Sequence, residues 1–164
     1  MPSRLRNSEF RFEKRRIGAT VTLSSGQTTR GCFFTAVSST RGNGPERVGD
    51  LLNAESGFFP FERHEGDVVS TVLYNRAHVV LIGLLEREER RDAGYNLAVP
   101  RFVSILLTTG QRVAGTVRVY RPSGRDRLSD WARQPETFRY VETADMTFLI
   151  NAAHIVDISE VPES

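Results

Sequence analysis

Two stretches of this chain, residues 19–35 and 103–119, follow the same pattern of residues. Each has apolar residues at alternate positions, then a small polar turn with a glycine, then a strand-like run that contains a second glycine. In the later stretch Val103, Ile105 and Leu107 share one face, because successive side chains of a strand point to opposite faces. The repeated pattern predicts an internal duplication of a β-rich unit.

The four repeated glycines fall at two kinds of position. Gly26 and Gly110 stand in the polar turns, where glycine can adopt the positive φ that a tight hairpin requires. Gly31 and Gly115 stand inside the second strands, where a glycine indicates a bulge, a bend or a close backbone approach.

Each copy continues with a short insert and a matching tail. The insert has the form R-(V/L)-x-D, and a short helical turn is expected at Asp50 and at Asp130, since a carboxylate there can accept from the free N–H groups of a helix N-terminus. The shared residues of the tails are Asn75 and His78 in the first copy, and Asn151 and His154 in the second.

The repeat sets the predicted domain boundaries. We expect a basic N-terminal arm at 1–16, a first unit at 17–85, a charged linker at 86–98 and a second unit at 99–161. Each unit is close to the lower size limit for a core of its own. We therefore expect the two units to pack against each other as a pseudo-two-fold pair.

Composition excludes several classes of protein. The hydrophobic share of 39% and the charged share of 26% are ordinary for a globular protein. The longest apolar run, 79–85, is much shorter than the roughly 20 residues that span a bilayer, and the charged N-terminus has no apolar stretch behind it. Cys32 is the only cysteine, which rules out an intrachain disulfide and a cysteine cluster for zinc. We expect a cytoplasmic protein with no membrane contact, no metal and no cofactor.

The two-glycine hairpin and the closing tail resemble the Sm-like fold. Residues 103–117 match the first Sm motif closely and residues 21–33 match it more loosely, while the tails NRAHVVLI and NAAHIVDI are similar to the second motif. The resemblance implies a mainly β protein with two tandem Sm-like five-stranded open barrels, each with a short helical insert. The insert and tail also resemble bacterial Sm-like duplications with no assigned chemistry.

The resemblance does not carry over the RNA-binding residues of Sm proteins. Those proteins place an Asp and an Asn in a short loop soon after the second strand, where they line a uridine pocket. This chain has longer loops with the inserts at Arg47 and Arg127. No Asp–Asn pair can be assigned to such a pocket, so fold transfers better than function.

The repeated polar residues allow a catalytic and a structural interpretation. An Asp and a His could form an acid–base pair or a metal site, but no nucleophile recurs with them, and fold maintenance alone would repeat the same turns. We interpret the repeated residues as structural and leave an enzyme as a third alternative. They are Gly26, Gly31, Asp50, Asn75, His78, Gly110, Gly115, Asp130, Asn151 and His154.

Arginines of the loops form the candidate binding surface. Loops at equivalent positions of two packed units could present one basic strip to phosphates or to an acidic partner. The alternative is that two of these arginines pair with Asp50 and Asp130 while the others are solvated. The candidates are Arg41, Arg47, Arg121, Arg125 and Arg127.

The sequence therefore predicts a non-enzymatic binding or assembly module. The partner would be another protein or a second copy of the chain, through exposed strand edges and ring-like self-association. RNA binding through the arginine-bearing loops is the alternative. The sequence leaves open the partner, the oligomeric state, and whether the two units share one function.

Overall fold

A computed structural model describes residues 14–37, 44–88, 94–120 and 127–162, and these residues form a mainly β structure with two short helices. The first half contains β1 (Lys14–Leu23), β2 (Thr28–Ala36), α1 (Val48–Asn53), β3 (Phe58–Glu65), β4 (Val68–Asn75) and β5 (Val79–Leu84). The second half contains β6 (Val99–Leu107), β7 (Arg112–Val119), α2 (Leu128–Ala132), β8 (Phe138–Glu142), β9 (Thr147–Asn151) and β10 (Ile155–Glu160). The mainly β prediction is confirmed. β1 begins at Lys14, inside the predicted basic arm, whose residues 1–13 lie outside the described ranges.

The ten strands form one antiparallel sheet in the order β10-β6-β7-β8-β9-β5-β1-β2-β3-β4. Each half contributes five neighbouring strands, and the halves meet where β5 pairs with β9. A pseudo-two-fold arrangement would instead bring equivalent strands together, β4 with β9 or β5 with β10. That expectation is wrong, because strands at different places in the two halves pair with each other.

The two halves pair their strands in the same registers. β5 pairs with β1 as β10 pairs with β6, and β4 pairs with β3 as β9 pairs with β8. A 3-10 turn precedes the last strand of each half, at Arg76–His78 and at Ala152–His154. By register, β4 is the positional equivalent of β9, and β5 is the positional equivalent of β10. The matching pairs include Ile82 with Val21 and Ile158 with Ile105, and Phe58 with Asn75 and Phe138 with Asn151.

The repeated glycines allow the tight turns and close strand approaches predicted for them. Gly26 and Gly110 have φ of 89° and 88°, values that L side chains rarely adopt. A Cβ on Gly31 would collide with the backbone oxygen of Glu62, and a Cβ on Gly115 would lie 2.6 Å from the backbone oxygen of Glu142. The second pair of glycines therefore lets β2 cross closely over β3 and β7 over β8.

Both helices begin as the sequence predicts. Asp50 Oδ2 accepts from the backbone N–H of Arg47 at 3.0 Å, and Asp130 Oδ2 accepts from that of Arg127 at 3.0 Å. In each case a carboxylate in the first turn satisfies an N–H that the helix itself leaves free. The repeated aspartates therefore act as helix caps.

The hydrophobic core consists of two clusters, and each draws residues from both halves. The first contains three buried phenylalanines of β2 and β3 together with Phe138 and Leu149 of the second half. The second contains Trp131 and the buried apolar side chains of β6 and β7 together with Val80 and Leu81 of β5. Neither half completes its core alone, because each cluster includes residues of the other half. Burying each such side chain stabilises the fold by roughly 1.5–3 kcal/mol. In the described part of the chain, no helix has the length and apolar character needed to cross a bilayer.

Candidate assembly edges

The joint between β5 and β9 is the central feature of the sheet. Every residue of β5 is buried, because β1 covers one edge of this strand, β9 covers the other, and apolar side chains pack on both faces. The pairs across the joint are Leu81 with Ile150, Ile82 with Leu149, Gly83 with Phe148, and Leu84 with Thr147.

Asn151 holds the two halves together at the end of this joint. Its Nδ2 donates to the carbonyl oxygens of Arg76 at 3.2 Å and Val79 at 2.9 Å, and its Oδ1 accepts from the N–H of Ala153 at 3.0 Å. The side chain is almost fully buried. One amide thus caps a turn of its own half and binds two carbonyls of the other half.

His154 makes a second polar contact across the joint. Its Nε2 lies 2.8 Å from the carbonyl oxygen of Ala77, so Nε2 carries the proton and donates, since a carbonyl can only accept. Its Nδ1 lies 2.8 Å from the Thr108 hydroxyl, which can donate to Nδ1 when the ring is neutral. The imidazole bridges the last turn of the second half to the first half.

Asn75 and His78 perform only the local part of this work. Asn75 Oδ1 accepts from the N–H of Ala77 at 3.0 Å, and His78 Nδ1 lies 3.2 Å from Ser24 Oγ. Within the described residues, Asn75 Nδ2 and His78 Nε2 make no contact of the kind that Asn151 and His154 make across the joint, since no further strand pairs with the outer side of β4. These two nitrogens are the positional counterparts of the groups that bind across the joint.

β4 and β10 are the outermost strands of the sheet, and no further strand pairs with the outer side of either among the described residues. Phe58 beside β4 is 60% exposed, whereas its counterpart Phe138 is 1% exposed. Leu73 on β4 is 66% exposed, whereas its counterpart Leu149 is fully buried. Side chains that are core residues at the joint are therefore surface residues at the β4 edge.

The β10 edge differs from β5 in charge. Asp157 and Glu160 stand at the register positions that Leu81 and Leu84 occupy in β5. Asp157 Oδ1 lies 3.6 Å from Arg112 Nη1, in an exposed ion pair. Charged side chains on an exposed strand weaken indiscriminate edge pairing. The β10 edge therefore carries charges that oppose such pairing, whereas the β4 edge is apolar.

A buried polar cluster lies beside the joint. The Tyr140 hydroxyl donates to Glu88 Oε1 at 2.6 Å and accepts from the N–H of Gly49 at 2.9 Å. The Arg47 guanidinium lies over the Tyr140 ring at 4.1 Å and 3.8 Å from Glu88 Oε1. Burial raises the pKa of Tyr140 well above its ordinary value, the carboxylate of Glu88 raises it further, and the charge of Arg47 opposes the shift. The cluster borders a cavity of about 480 Å³ and ties α1 to β8.

Two of the five candidate arginines, Arg47 and Arg127, lie in the part of the chain that the structure describes. Arg41, Arg121 and Arg125 lie outside the described residues. Arg47 is buried against Tyr140, so its guanidinium is not on the surface, whereas Arg127 is exposed. The basic strip and RNA binding stay predictions.

The repeated Asp and His also lie in different places. Asp50 caps α1, while His78 faces Ser24 at the turn between β4 and β5. Asp130 caps α2, while His154 faces Thr108 and Ala77. These partners agree with the structural interpretation of the repeated residues.

Four residues that make buried polar contacts were not predicted from the sequence. Arg76 donates to the carbonyls of Leu51 and Leu52 at the end of α1, and burial lowers its pKa, an effect that Glu55 partly offsets. Arg139 does the same for α2, donating to the carbonyls of Trp131 and Ala132. The signal was an arginine adjoining an apolar strand, as in FRYVE. Glu88 and Tyr140 gave no comparable signal, since Glu88 stands within a charged run.

No protein-family model, curated protein or solved structure matches this chain.

Proposed function

We propose that this chain is a non-enzymatic assembly module whose copies associate head to tail, with β4 of one copy pairing with β10 of the next. Each half would then be an Sm-like five-stranded open barrel, and the chain a tandem duplication of it. The observation that carries the proposal is the β5–β9 pairing. β10 is the positional equivalent of β5, and β4 is the positional equivalent of β9. Among the described residues, the outer sides of β10 and β4 have no strand paired with them.

The internal joint supplies the expected register between copies. Ile158 would face Leu73 of the next copy, as Ile82 faces Leu149, and Ser159 would face Val72, as Gly83 faces Phe148. Leu73 would then be covered as its counterpart Leu149 is. The polar contacts would follow the same pattern, with Asn75 Nδ2 donating to the carbonyls of Ala152 and Ile155, and His78 Nε2 donating to that of Ala153.

Head-to-tail contacts have a definite consequence for assembly. The two surfaces that meet are different, so a copy that adds to a free β4 edge covers that edge and leaves its own β4 edge free for the next copy. Such contacts generate a ring when the rotation between copies closes and an open filament when it does not. The charges of β10 make this contact weaker than the internal joint, so assembly is expected to depend on protein concentration.

Cysteine pairs test the register directly. In a Cys32→Ser background, Leu73→Cys and Ile158→Cys are made as two separate single variants and oxidised alone and as a mixture. Cross-strand partners lie close enough for a disulfide, so the mixture is expected to give a covalent dimer while each variant alone gives none. Mixing Leu73→Cys with Glu160→Cys, which is displaced in register, is the matched control.

Sedimentation velocity of the unmodified chain over a concentration series provides the second measurement. Concentration-dependent association together with the register-specific disulfide supports the proposal. A monomer at all concentrations with no disulfide would refute it, and a disulfide in Leu73→Cys alone would replace it with a symmetric β4–β4 contact.

Nuclease treatment and a salt series separate self-association from RNA-bridged association. Phosphate contacts weaken steeply with added salt, whereas backbone pairing between strand edges depends on salt much less. Assemblies that survive both nuclease and about 1 M salt, at which charge–charge contacts are strongly screened, agree with the edge contact. Assemblies that dissolve under both treatments would favour the arginine-bearing loops as the binding surface.

A further inference from the structure

The exposed face of the sheet in the first half carries three side chains of a kind that bind metal ions. Cys32 lies on β2, opposite Glu62 of β3 in the antiparallel register. His64 lies two residues beyond Glu62 on the same strand, so the two side chains share a face. The sulfur, a carboxylate oxygen and an imidazole nitrogen all lie within 4.8 Å of one another.

We propose that Cys32, Glu62 and His64 form a binding site for a divalent transition-metal ion, with Zn²⁺ as the best match. Zn²⁺ binds thiolate, imidazole and carboxylate donors together, and three protein ligands leave its fourth tetrahedral position to water. Metal–donor distances of about 2.0–2.3 Å place tetrahedral donors roughly 3.5 Å apart. Small rotations of these side chains would bring the three donor atoms from their present spacing, within 4.8 Å of one another, to that distance.

The local geometry favours a site of this type. The three residues are half-buried, which limits competition from water while leaving an entry path. His64 Nε2 already lies 2.9 Å from Glu62 Oε1, so the imidazole and the carboxylate converge on one point. Both strands are regular elements, and rigid elements hold ligands more accurately than loops do.

Metal coordination would replace the His64–Glu62 hydrogen bond, and within the described ranges one further contact, on the surface, competes for the Glu62 carboxylate. Arg16 Nη2 lies 3.3 Å from Glu62 Oε2, and the Arg16 side chain is 65% exposed. An exposed ion pair of this kind contributes little free energy, and its long side chain can turn to solvent when a metal neutralises the carboxylate.

The second half provides an internal comparison. There Thr116 pairs with Glu142 in the position that Cys32 and Glu62 occupy, and Ala144 stands where the first half has His64. The second half keeps the carboxylate but lacks the thiol and the imidazole. One metal ion per chain is therefore expected, and the proposal is independent of how the chain assembles.

Cobalt is the probe for the experiment, because Co²⁺ occupies zinc sites and a Co²⁺–thiolate bond absorbs light. The tag-free full chain, reduced and treated with chelator, is titrated with Co²⁺ and then with Zn²⁺. We expect one equivalent of Co²⁺ to produce thiolate charge-transfer absorption and one equivalent of Zn²⁺ to abolish it. Binding of Co²⁺ without a thiolate band, or no saturable binding, would overturn the proposal.

Single substitutions complete the test. Cys32→Ser should remove the thiolate band, and His64→Gln should weaken Zn²⁺ binding more than about tenfold. The matched control is Glu65→Gln, which changes an exposed residue of the same strand on the opposite face of the sheet and should leave the affinity unchanged. Circular dichroism confirms that each variant is folded, and a His64→Gln variant that binds Zn²⁺ as tightly as the parent would refute the site.

Discussion

The inner joint and the outer edges of the sheet present the same strand pattern in two environments. At the joint, Phe138 and Leu149 belong to the core of the other half. At the β4 edge, their counterparts Phe58 and Leu73 are mostly exposed. The residue types alone do not decide burial, since the two leucines are identical and differ only in whether a further strand covers them. Burial here is a property of the neighbour.

The two outer edges also differ from each other. β4 keeps apolar side chains at Val68, Val69 and Leu73, all exposed. β10 carries Asp157 and Glu160, which form ion pairs with Arg112 and Arg101. An apolar edge attracts a partner and a charged edge discourages random pairing, so in the proposed assembly the two edges would favour one contact over indiscriminate aggregation.

The largest effect is expected from truncating the buried leucine. Leu149→Ala should lower the free energy of unfolding by about 2–5 kcal/mol, because it leaves a cavity at the joint. Leu73→Ala should change it by no more than about 0.5 kcal/mol in the dilute monomer, since the side chain is on the surface. Urea unfolding at low protein concentration measures both. Equal losses would mean that the β4 edge is covered even in the monomer.

The paired asparagines give a smaller contrast. Asn151→Ala removes a cap and two buried hydrogen bonds to the first half, with an expected loss of about 1–3 kcal/mol. Asn75→Ala removes only the cap of its own turn, with an expected loss of about 1 kcal/mol or less. The same urea experiment ranks them. If Asn75 proved the more costly, the joint would owe little to its amide contacts.

The third contrast acts on association rather than on unfolding, and it sharpens the comparison most. Asp157→Leu gives β10 the residue that β5 has at this register position, and it removes a charge from the edge. Self-association should tighten by roughly tenfold, about 1.4 kcal/mol, which a shift in the sedimentation concentration series would reveal. Asp145→Leu, away from both edges, is the control. An unchanged association constant for Asp157→Leu would show that this charge does not guard the edge.

Local features of the fold could be read from the sequence because local physics determines them. Gly26 and Gly110 occupy turns that need positive φ, and Gly31 leaves room for the backbone of Glu62. Asp50 caps a helix where a carboxylate precedes a short apolar stretch. Each of these predictions depends on a few neighbouring residues, and the alternation of apolar positions supplied the strands.

Long-range features could not be read in the same way. Asn75 and Asn151 have matching neighbours in the sequence, yet only Asn151 binds the other half. Arg47 looked like a surface arginine, but Tyr140 and Glu88, both distant in the chain, surround its guanidinium. The arrangement of the halves was mispredicted for the same reason, because repeated residues indicate which strands are alike and not which strands meet.

The complete burial of β5 has a consequence for how the chain folds. β5 is made before β9, and the residues that pair across the joint are far apart in sequence, so this pairing closes later than the local hairpins. Until then an apolar strand with an open edge is exposed on the nascent chain, the condition under which folding intermediates aggregate. Rapid synthesis of the second half, or a chaperone that shields 79–84, would protect the first half during this interval.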